Sequence, residues 1–302
     1  MFSLNRWIKL SGIKVFLPFY HMVSDEPQPH VQHLYPFPTE LRFKQDLIYL
    51  LRHFKAISYE ELKHAIDSKS GFSEPVMHLS FDDGFRQCHE VVAPILKGLG
   101  VPATFFVNPA FIGNADLMYR CKASWIISNH PEQAAKLLNI KYASRDELDR
   151  IINNGPLELK EYLESQRPYL QDSDVRTLIA DGFTIGNHSY SHADFAFLNT
   201  DEQIAEVLNG KRALAERFEI KDPPFAFPFT DAFTTLEFWD KAKTDNGFGL
   251  SFGTAGVKKD EVPNHFQRTS LETSSLSIGR LVKGEFQRST AKRMLGNQMV
   301  KH

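Results

Sequence analysis

The chain has 302 residues, 42% hydrophobic and 24% charged, which is ordinary globular composition with ample apolar material for a core. The formal charge is −2, and Lys and Arg are scattered apart from the mildly basic Lys292, Arg293 and Lys301, so the chain lacks the electrostatic footprint of a nucleic-acid or anionic-membrane binder. Two cysteines, Cys88 and Cys121, are too few for a disulfide framework and lack metal-type spacing, so both read as buried or free thiols.

In chain order, Arg6, Lys9 and Lys14 lead into the apolar run at 15–20. That run is far short of a membrane span and no small-residue cleavage site follows it. The expectation is no integral membrane segment, no signal peptide and a cytoplasmic location. Residues 14–20 read as a buried strand with His21 at its C-terminal end, followed by a polar stretch with Pro27, Pro29, Pro36 and Pro38. Thr39 is placed to cap a helix reaching Phe54, with Leu41, Leu47, Leu50 and Leu51 near helical spacing. A short strand is expected at 54–57. Ser58-Tyr59-Glu60-Glu61 then has the form of a capping box, opening a helix to about Asp67. Residues 76–81 form the next strand, and Gly84 permits a sharp turn after it. Val91, Val92, Ile95, Leu96 and Leu99 mark a helix ended by Gly98 and Gly100, and 103–107 is a strand rich in β-formers. Strand, helix and strand thus recur in the rhythm of parallel βαβ units.

The rhythm breaks at about 109–172. This stretch reads as mostly helical, with Trp125, Ile126, Ile127, Leu137, Leu138, Leu148, Ile151 and Ile152, and with breakers at Pro131, Gly155-Pro156 and Pro168. It is taken as an insertion on a single domain spanning 1–302. The βα pattern then resumes with a helix at 174–180, a strand at 183–186, a helix at 201–218, a strand at 225–227, a helix at 236–243, a strand at 249–252 and a last strand at 266–271. A helix from about Thr273 closes the chain. This count fits a closed or nearly closed α/β barrel better than an open doubly wound sheet, although periodicity alone does not separate the two. His21, Asp82, Asp83, Asn108, Asn187, His188 and Pro228 all fall at or just past strand C-terminal ends, where α/β barrels gather their chemistry.

Two of these positions carry dense chemistry. Ser80-Phe81-Asp82-Asp83-Gly84 offers adjacent carboxylates, one able to hold a cation and the other to remain a base. His188-Ser189-Tyr190-Ser191-His192 offers two imidazoles four positions apart, which meet on one side if the segment makes a helical turn. One carboxylate and two imidazoles leave coordination positions open for water and a substrate oxygen, the arrangement of metal-assisted hydrolysis. Separately, Asp-Asp-Gly is an ordinary turn and the histidines ordinary loop residues. Both motifs following strands in one βα chain favours a shared site.

These motifs resemble those of the polysaccharide deacetylases, also called the NodB homology domain or carbohydrate esterase family four. Residues 80–84 match the (T/S)FDDG motif and 188–192 the H(S/T)xxH motif, while Phe225-Ala226-Phe227-Pro228-Phe229 is weakly similar to a third. The resemblance covers roughly 14–271 and implies an α/β fold, a distorted, incomplete (β/α) barrel with fewer than eight complete units. It implies Asp82 as general base, Asp83, His188 and His192 as ligands to a divalent metal, most often Zn2+, and the backbone N–H of Phe229 as oxyanion donor. The implied reaction removes N- or O-acetyl groups from a saccharide. Given the expected location, the substrate would be an acetylated saccharide or a lipid- or nucleotide-linked sugar.

The chain departs from the pattern in two places. Ala226 stands where many relatives carry the Arg that orients the base, with Arg268 or Arg280 as replacements from elsewhere in the chain. The family's late acid histidine is not clear. His265, early in the 265–272 segment, and His21 are the two histidines considered for general acid, and each reads first as a supporting residue. Two other functions remain open: an amidase on a small ureide-like C–N bond, and a carbohydrate-binding homologue without turnover. The aromatics at 225, 227 and 229 read as one strand face before they read as a sugar platform.

Overall fold

In the computed structural model, which describes residues 2–134, 144–154, 158–272 and 276–302, a helix α1 (Leu4–Ser11) precedes the first expected strand. Its Leu4 and Ile8, one turn apart, are buried while Arg6 and Lys9 are exposed. The strand expected at 14–20 is two, β1 (Val15–Phe16) and β2 (Pro18–Tyr20). Thr39 caps α2 (Glu40–Leu51) by accepting from the Arg42 backbone N–H, and Ser58 with Glu61 forms the capping box that opens α3 (Tyr59–Asp67) after β3 (Lys55–Ala56). The stretch at 76–81 is likewise two strands, β4 (Val76–Met77) and β5 (Leu79–Phe81). Both splits have one cause. β1 and β3 flank β4 in a small sheet, whereas β2 pairs with β5 in a large one, so the chain changes partner at Leu17 and again at His78.

A π-helical turn at Cys88–Val92 runs into α4 (Ala93–Leu99), and β6 (Ala103–Val107) follows. Gly98 stays inside α4; only Gly100 ends it, in the left-handed conformation. The stretch at 109–172 supplies α5 (Tyr119–Asn129), α6 (Pro131–Ala134), α7 (Arg145–Asn154) and α8 (Leu159–Gln166), so it is mostly helical where described. Leu137, Leu138, Gly155 and Pro156 lie outside the described residues. Its Leu117, Cys121, Trp125, Ile126 and Leu148 form a core with Met22 and Val31, so the stretch after β2 packs with these helices. Then come α9 (Asp172–Ala180), β7 (Thr184–Asn187), α10 (Thr200–Phe218), β8 (Phe225–Ala226), α11 (Leu236–Thr244), β9 (Ser251–Gly253), β10 (Lys259–Asp260), β11 (His265–Gln267), β12 (Thr269–Ser270), α12 (Ile278–Met294) and β13 (Met299–Val300). The sequence reading lacked β10 and β13, which pair with each other. Thr273, the expected start of the last helix, lies outside the described residues, and α12 begins at Ile278.

The large sheet is parallel throughout, in the order β11, β9, β8, β7, β6, β5, β2, β12. Its end strands, β11 and β12, are consecutive in the chain and separated only by Arg268. The Arg268 backbone N–H donates to the Gly253 carbonyl (3.0 Å) and the Thr269 N–H donates to the Leu17 carbonyl (2.9 Å). One stretch therefore spans both edges, and the sheet is a nearly closed barrel with few exposed edge groups. On β5 and β6, Leu79, Phe81 and Phe105 face outward into a core with Phe43, Leu47, Leu96 and Leu178 of the surrounding helices. Alternation turns Ser80, Asp82 and Phe106 to the inside. No helix among the described residues is long and apolar enough to cross a membrane.

Candidate active site

The C-terminal ends of the barrel strands open on a cavity of about 340 Å³ whose walls include His21, Tyr35, Asp82, Asp83, His188 and His192. Asp82 continues β5, His21 continues β2 and His188 continues β7, so one fold-level fact, parallel strands ending at one rim, collects residues far apart in sequence.

The adjacent carboxylates have different surroundings. Asp82 is buried and gripped by Arg268, whose Nη1 donates to Oδ1 (2.6 Å) and Nη2 to Oδ2 (2.8 Å). Burial alone would raise the Asp82 pKa; the Arg268 charge, then His188, the Arg268 hydrogen bonds and His21 outweigh it and hold the carboxyl below its ordinary range. Asp83 turns the other way because its own φ is +73°. Its Oδ1 lies 3.4 Å from His188 Nε2 and 3.1 Å from His192 Nε2, and its Oδ2 accepts from the Tyr35 hydroxyl (3.2 Å). Burial again works against the charge, and the two histidines and His21 overcome it, holding Asp83 well below the carboxylate range. Gly84 follows at φ +64°, and a Cβ there would sit 3.1 Å from Val107 Cγ1, so the turn needs glycine for both conformation and space.

The histidine segment is not the helical turn that its spacing suggests. It is a bent loop in which Ser189 (φ +65°) and His192 (φ +53°) are left-handed. Its backbone groups are taken by neighbours rather than by a helix: Asn108 Nδ2 donates to the His188 and Ser189 carbonyls, and Glu206 of α10 accepts from the Ser191 N–H and hydroxyl at 2.8 Å each. The rings still meet, with centroids 5.0 Å apart. His188 Nδ1 donates to the Ala226 carbonyl (2.8 Å), which fixes the tautomer and leaves the Nε2 lone pair facing Asp83. Left-handed backbone at Asp83, Ser189, His192 and Phe229 concentrates strain at this rim.

Asp83 Oδ1, His188 Nε2 and His192 Nε2 fit one divalent ion. Asp83 Oδ1 is buried and has no hydrogen-bond partner among the described residues, although it faces two imidazole nitrogens. Its separations from them match the roughly 3.4 Å edge of a tetrahedron with bonds of about 2.1 Å. Asp82 stands beside this set, with Oδ2 3.9 Å from His188 Nε2, but both its oxygens are engaged by Arg268.

Arg268 makes the contact to Asp82 that the family resemblance expects of an Arg at the position held by Ala226. Its guanidinium lies over the Phe19 ring (4.4 Å to the centroid) and near that of Phe106 (5.2 Å), and Nη1 also reaches Ser80 Oγ (3.1 Å). Ala226 is fully buried and packed with Phe252, while Arg280 is exposed on α12. The aromatic alternation holds for Phe225 and Phe227, both buried with Phe238 and Trp239 outside the barrel, and then breaks. Thr230 N–H donates to the Pro228 carbonyl (2.6 Å) around Phe229 (φ +58°), a γ-turn that swings Phe229 into the cavity wall. No acceptor among the described residues takes the Phe229 N–H.

The two histidines considered for the acid part company. His21 lines the cavity, stacks on Tyr35 (4.6 Å) and holds Glu272 Oε2 2.6 Å from Nδ1, while Glu272 Oε1 accepts from the His21 and Met22 N–H groups. Burial would lower its pKa; the Glu272 charge and hydrogen bond, with Asp83 and Asp82 behind them, carry it up to about 9. His265 does not reach the cavity. It lies outside the barrel against Phe227 and Trp239, with Nε2 on Asp231 (2.8 Å). Side chains on alternate faces of one strand explain this, since Arg268 points inward from the same stretch. Sequence reasoning missed Tyr35, Glu272 and Arg120, whose guanidinium lies over the Phe229 ring (4.1 Å). Tyr35 stands in an irregular stretch and Arg120 on α5, with no motif to mark either.

The family model for polysaccharide deacetylase matches residues 69–244. Among solved structures, a Streptococcus pyogenes deacetylase, PplD, in complex with acetate is similar with a TM-score of 0.62 and 14% identity, over 90% of this chain and 98% of that one. A de-N-acetylase from Aggregatibacter actinomycetemcomitans gives 0.61 and 16% over 89% and 99%, and IcaB from Ammonifex degensii gives 0.59 and 15% over 91% and 97%. At these identities the structural likeness carries the fold. No curated protein matches the chain in sequence. Because the family match spans more than half of its length and includes both the carboxylate and histidine motifs, the chain belongs to the polysaccharide deacetylase family.

Proposed function

We propose that this protein is a metal-dependent hydrolase that removes N- or O-acetyl groups from a saccharide. The observation that carries the reading is a division of labour: Asp83 faces His188 and His192 with an unpartnered oxygen, while Asp82, next in sequence, is held ionised by Arg268. A divalent ion held by Asp83, His188 and His192, zinc by its donor set, would acidify a water and polarise the acetyl carbonyl. Asp82 takes the water proton, and Arg268 keeps it anionic and aimed. The Phe229 N–H donates to the oxygen that gains charge in the tetrahedral intermediate. His21 supplies the proton to the departing amine or alkoxide, and Glu272 keeps its ring protonated and oriented.

The reading as a binder without turnover drew on Ala226 and on an unclear acid. Arg268 on Asp82 and His21 in the cavity wall supply groups for both roles, which supports catalysis. Substrate selection falls to the inserted helices, since Met118, Arg120 and Cys121 line the cavity. The test is acetate release from a panel of acetylated aminosugars, oligosaccharides and lipid- or nucleotide-linked sugars, before and after chelation and with zinc restored. Cyclic ureides belong in the same panel. Metal-dependent acetate release from a saccharide is expected; ureide turnover without deacetylation, or no release from any acetylated sugar, would overturn the proposal.

A further inference from the structure

On the outer side of the barrel, behind the loop that carries Phe229, a second set of ligating side chains converges. His265 comes from β11, Asp260 from β10, Asp231 from the loop after β8, and His302 follows β13. His265 Nε2 lies 2.8 Å from Asp231 Oδ2 and 3.9 Å from Asp260 Oδ2; His302 Nε2 lies 3.2 Å from Asp260 Oδ2 and 3.9 Å from Asp231 Oδ2. These separations bracket the roughly 3.4 Å edge of a tetrahedral site with bonds of about 2.1 Å. We propose that Asp231, Asp260, His265 and His302 bind a second divalent ion, zinc by its donor set, that fastens residues 299–302 to the back of the Phe229 loop.

Four observations besides the convergence support a cation here. The side chains of His265, His302 and Asp260 have no solvent exposure and that of Asp231 has 3%, so two carboxylates are buried together. Among the described residues, no Lys or Arg forms an ion pair with either, and buried charges require a counter-charge. The far ring nitrogens are engaged outside the cluster, His265 Nδ1 with Ser251 Oγ (2.8 Å) and His302 Nδ1 with Thr234 Oγ1 (3.1 Å), which aims both Nε2 atoms at the carboxylates. Trp239 packs on both imidazoles, closing the set from water, and Gly253 leaves it room, since a Cβ there would fall 2.2 Å from Asp231 Oδ2. Gln267 Nε2 donates to the same two carboxylate oxygens at 2.5 and 2.8 Å, and an entering ion would displace it from them.

This site stands independently of the hydrolytic reading, and ion counting separates the two. Purified protein dialysed against trace zinc should hold two ions per chain. His188→Ala should hold one, His302→Gln one, and the double variant none. Cobalt loaded into His188→Ala should give the visible band of a four-coordinate nitrogen–oxygen site, and that band should vanish in the double variant. Zinc should raise the melting temperature of His188→Ala by about 5 °C or more at saturating concentration and leave the double variant unmoved. If His302→Gln fails to fold by circular dichroism, Asp260→Asn takes its place. A count of zero in His188→Ala, or a remaining ion indifferent to both His302→Gln and Asp260→Asn, would overturn the proposal, the former leaving the cluster as a pair of buried imidazolium–carboxylate contacts. An ion lost in His302→Gln but not in His188→Ala would instead defeat the cation assigned to the cavity.

Discussion

Replacing Arg268 by Met removes the cation that holds Asp82 while keeping an apolar body between Phe19 and Phe106. Two charge-assisted bonds disappear, at 2.6 and 2.8 Å, along with the contact to Ser80 Oγ. Each such bond contributes about 1.5–3 kcal/mol, and stripping one partner from a buried pair costs about 3–5 kcal/mol because the other charge stays buried. The melting temperature should therefore fall by roughly 10 °C. Asp82 loses the largest influence that lowers its pKa while burial, which raises it, remains, so its carboxyl climbs and the acid limb of the kcat/KM profile moves to higher pH. With the base unaligned and harder to ionise, kcat/KM at neutral pH should drop by about 10²–10⁴-fold. Arg268→Lys restores the charge without the planar fork and should recover the acid limb more than the rate. The assay is acetate release against pH at fixed zinc content, with thermal melts alongside. An Arg268→Met protein with an unmoved acid limb and wild-type kcat/KM would refute the assignment of Arg268 as the residue that orients Asp82.

Three further outcomes are expected. Glu272→Gln removes the charge that raises the His21 pKa to about 9; a protonated His21 is needed on the basic side, so the basic limb should move to lower pH, and a bound cation near by would bring both limbs down together without changing that sign. Asn108→Leu leaves the buried His188 and Ser189 carbonyls unpaired and should cost about 1–3 kcal/mol by denaturant melts, with zinc affinity about tenfold weaker or more by titration. Gly84→Ala places a side chain at φ +64° against Val107 and should destabilise by about 1–3 kcal/mol while lowering kcat, read by melts and acetate release.

The barrel was legible because its strands are short apolar runs ended by glycine or polar caps, and because Thr39 and Ser58 announce their helices. What the sequence withheld was partner choice. Nothing in 14–20 or 76–81 says that the chain leaves one sheet for another at Leu17 and His78, because both halves are equally apolar. The four central side chains were legible because two short motifs carry them; Glu272 and Tyr35 were not, because only the closed barrel brings them beside His21. His265 and Arg268 show the limit most plainly. They are three positions apart, and a period of two places them on opposite faces, but which face is inside depends on where the strand begins. The loop at 188–192 misled for a related reason: helical spacing brings two rings together, and so do two left-handed residues strapped by Asn108 and Glu206.

The most direct measurement is anomalous diffraction at the zinc edge from crystals of the zinc-loaded protein. The expected result is a strong peak within bonding distance of Asp83 Oδ1, His188 Nε2 and His192 Nε2, with Asp82 unligated and still held by Arg268. An empty position between those three atoms in a crystal grown with saturating zinc, or an ion bound through Asp82 with Asp83 turned away, would contradict it.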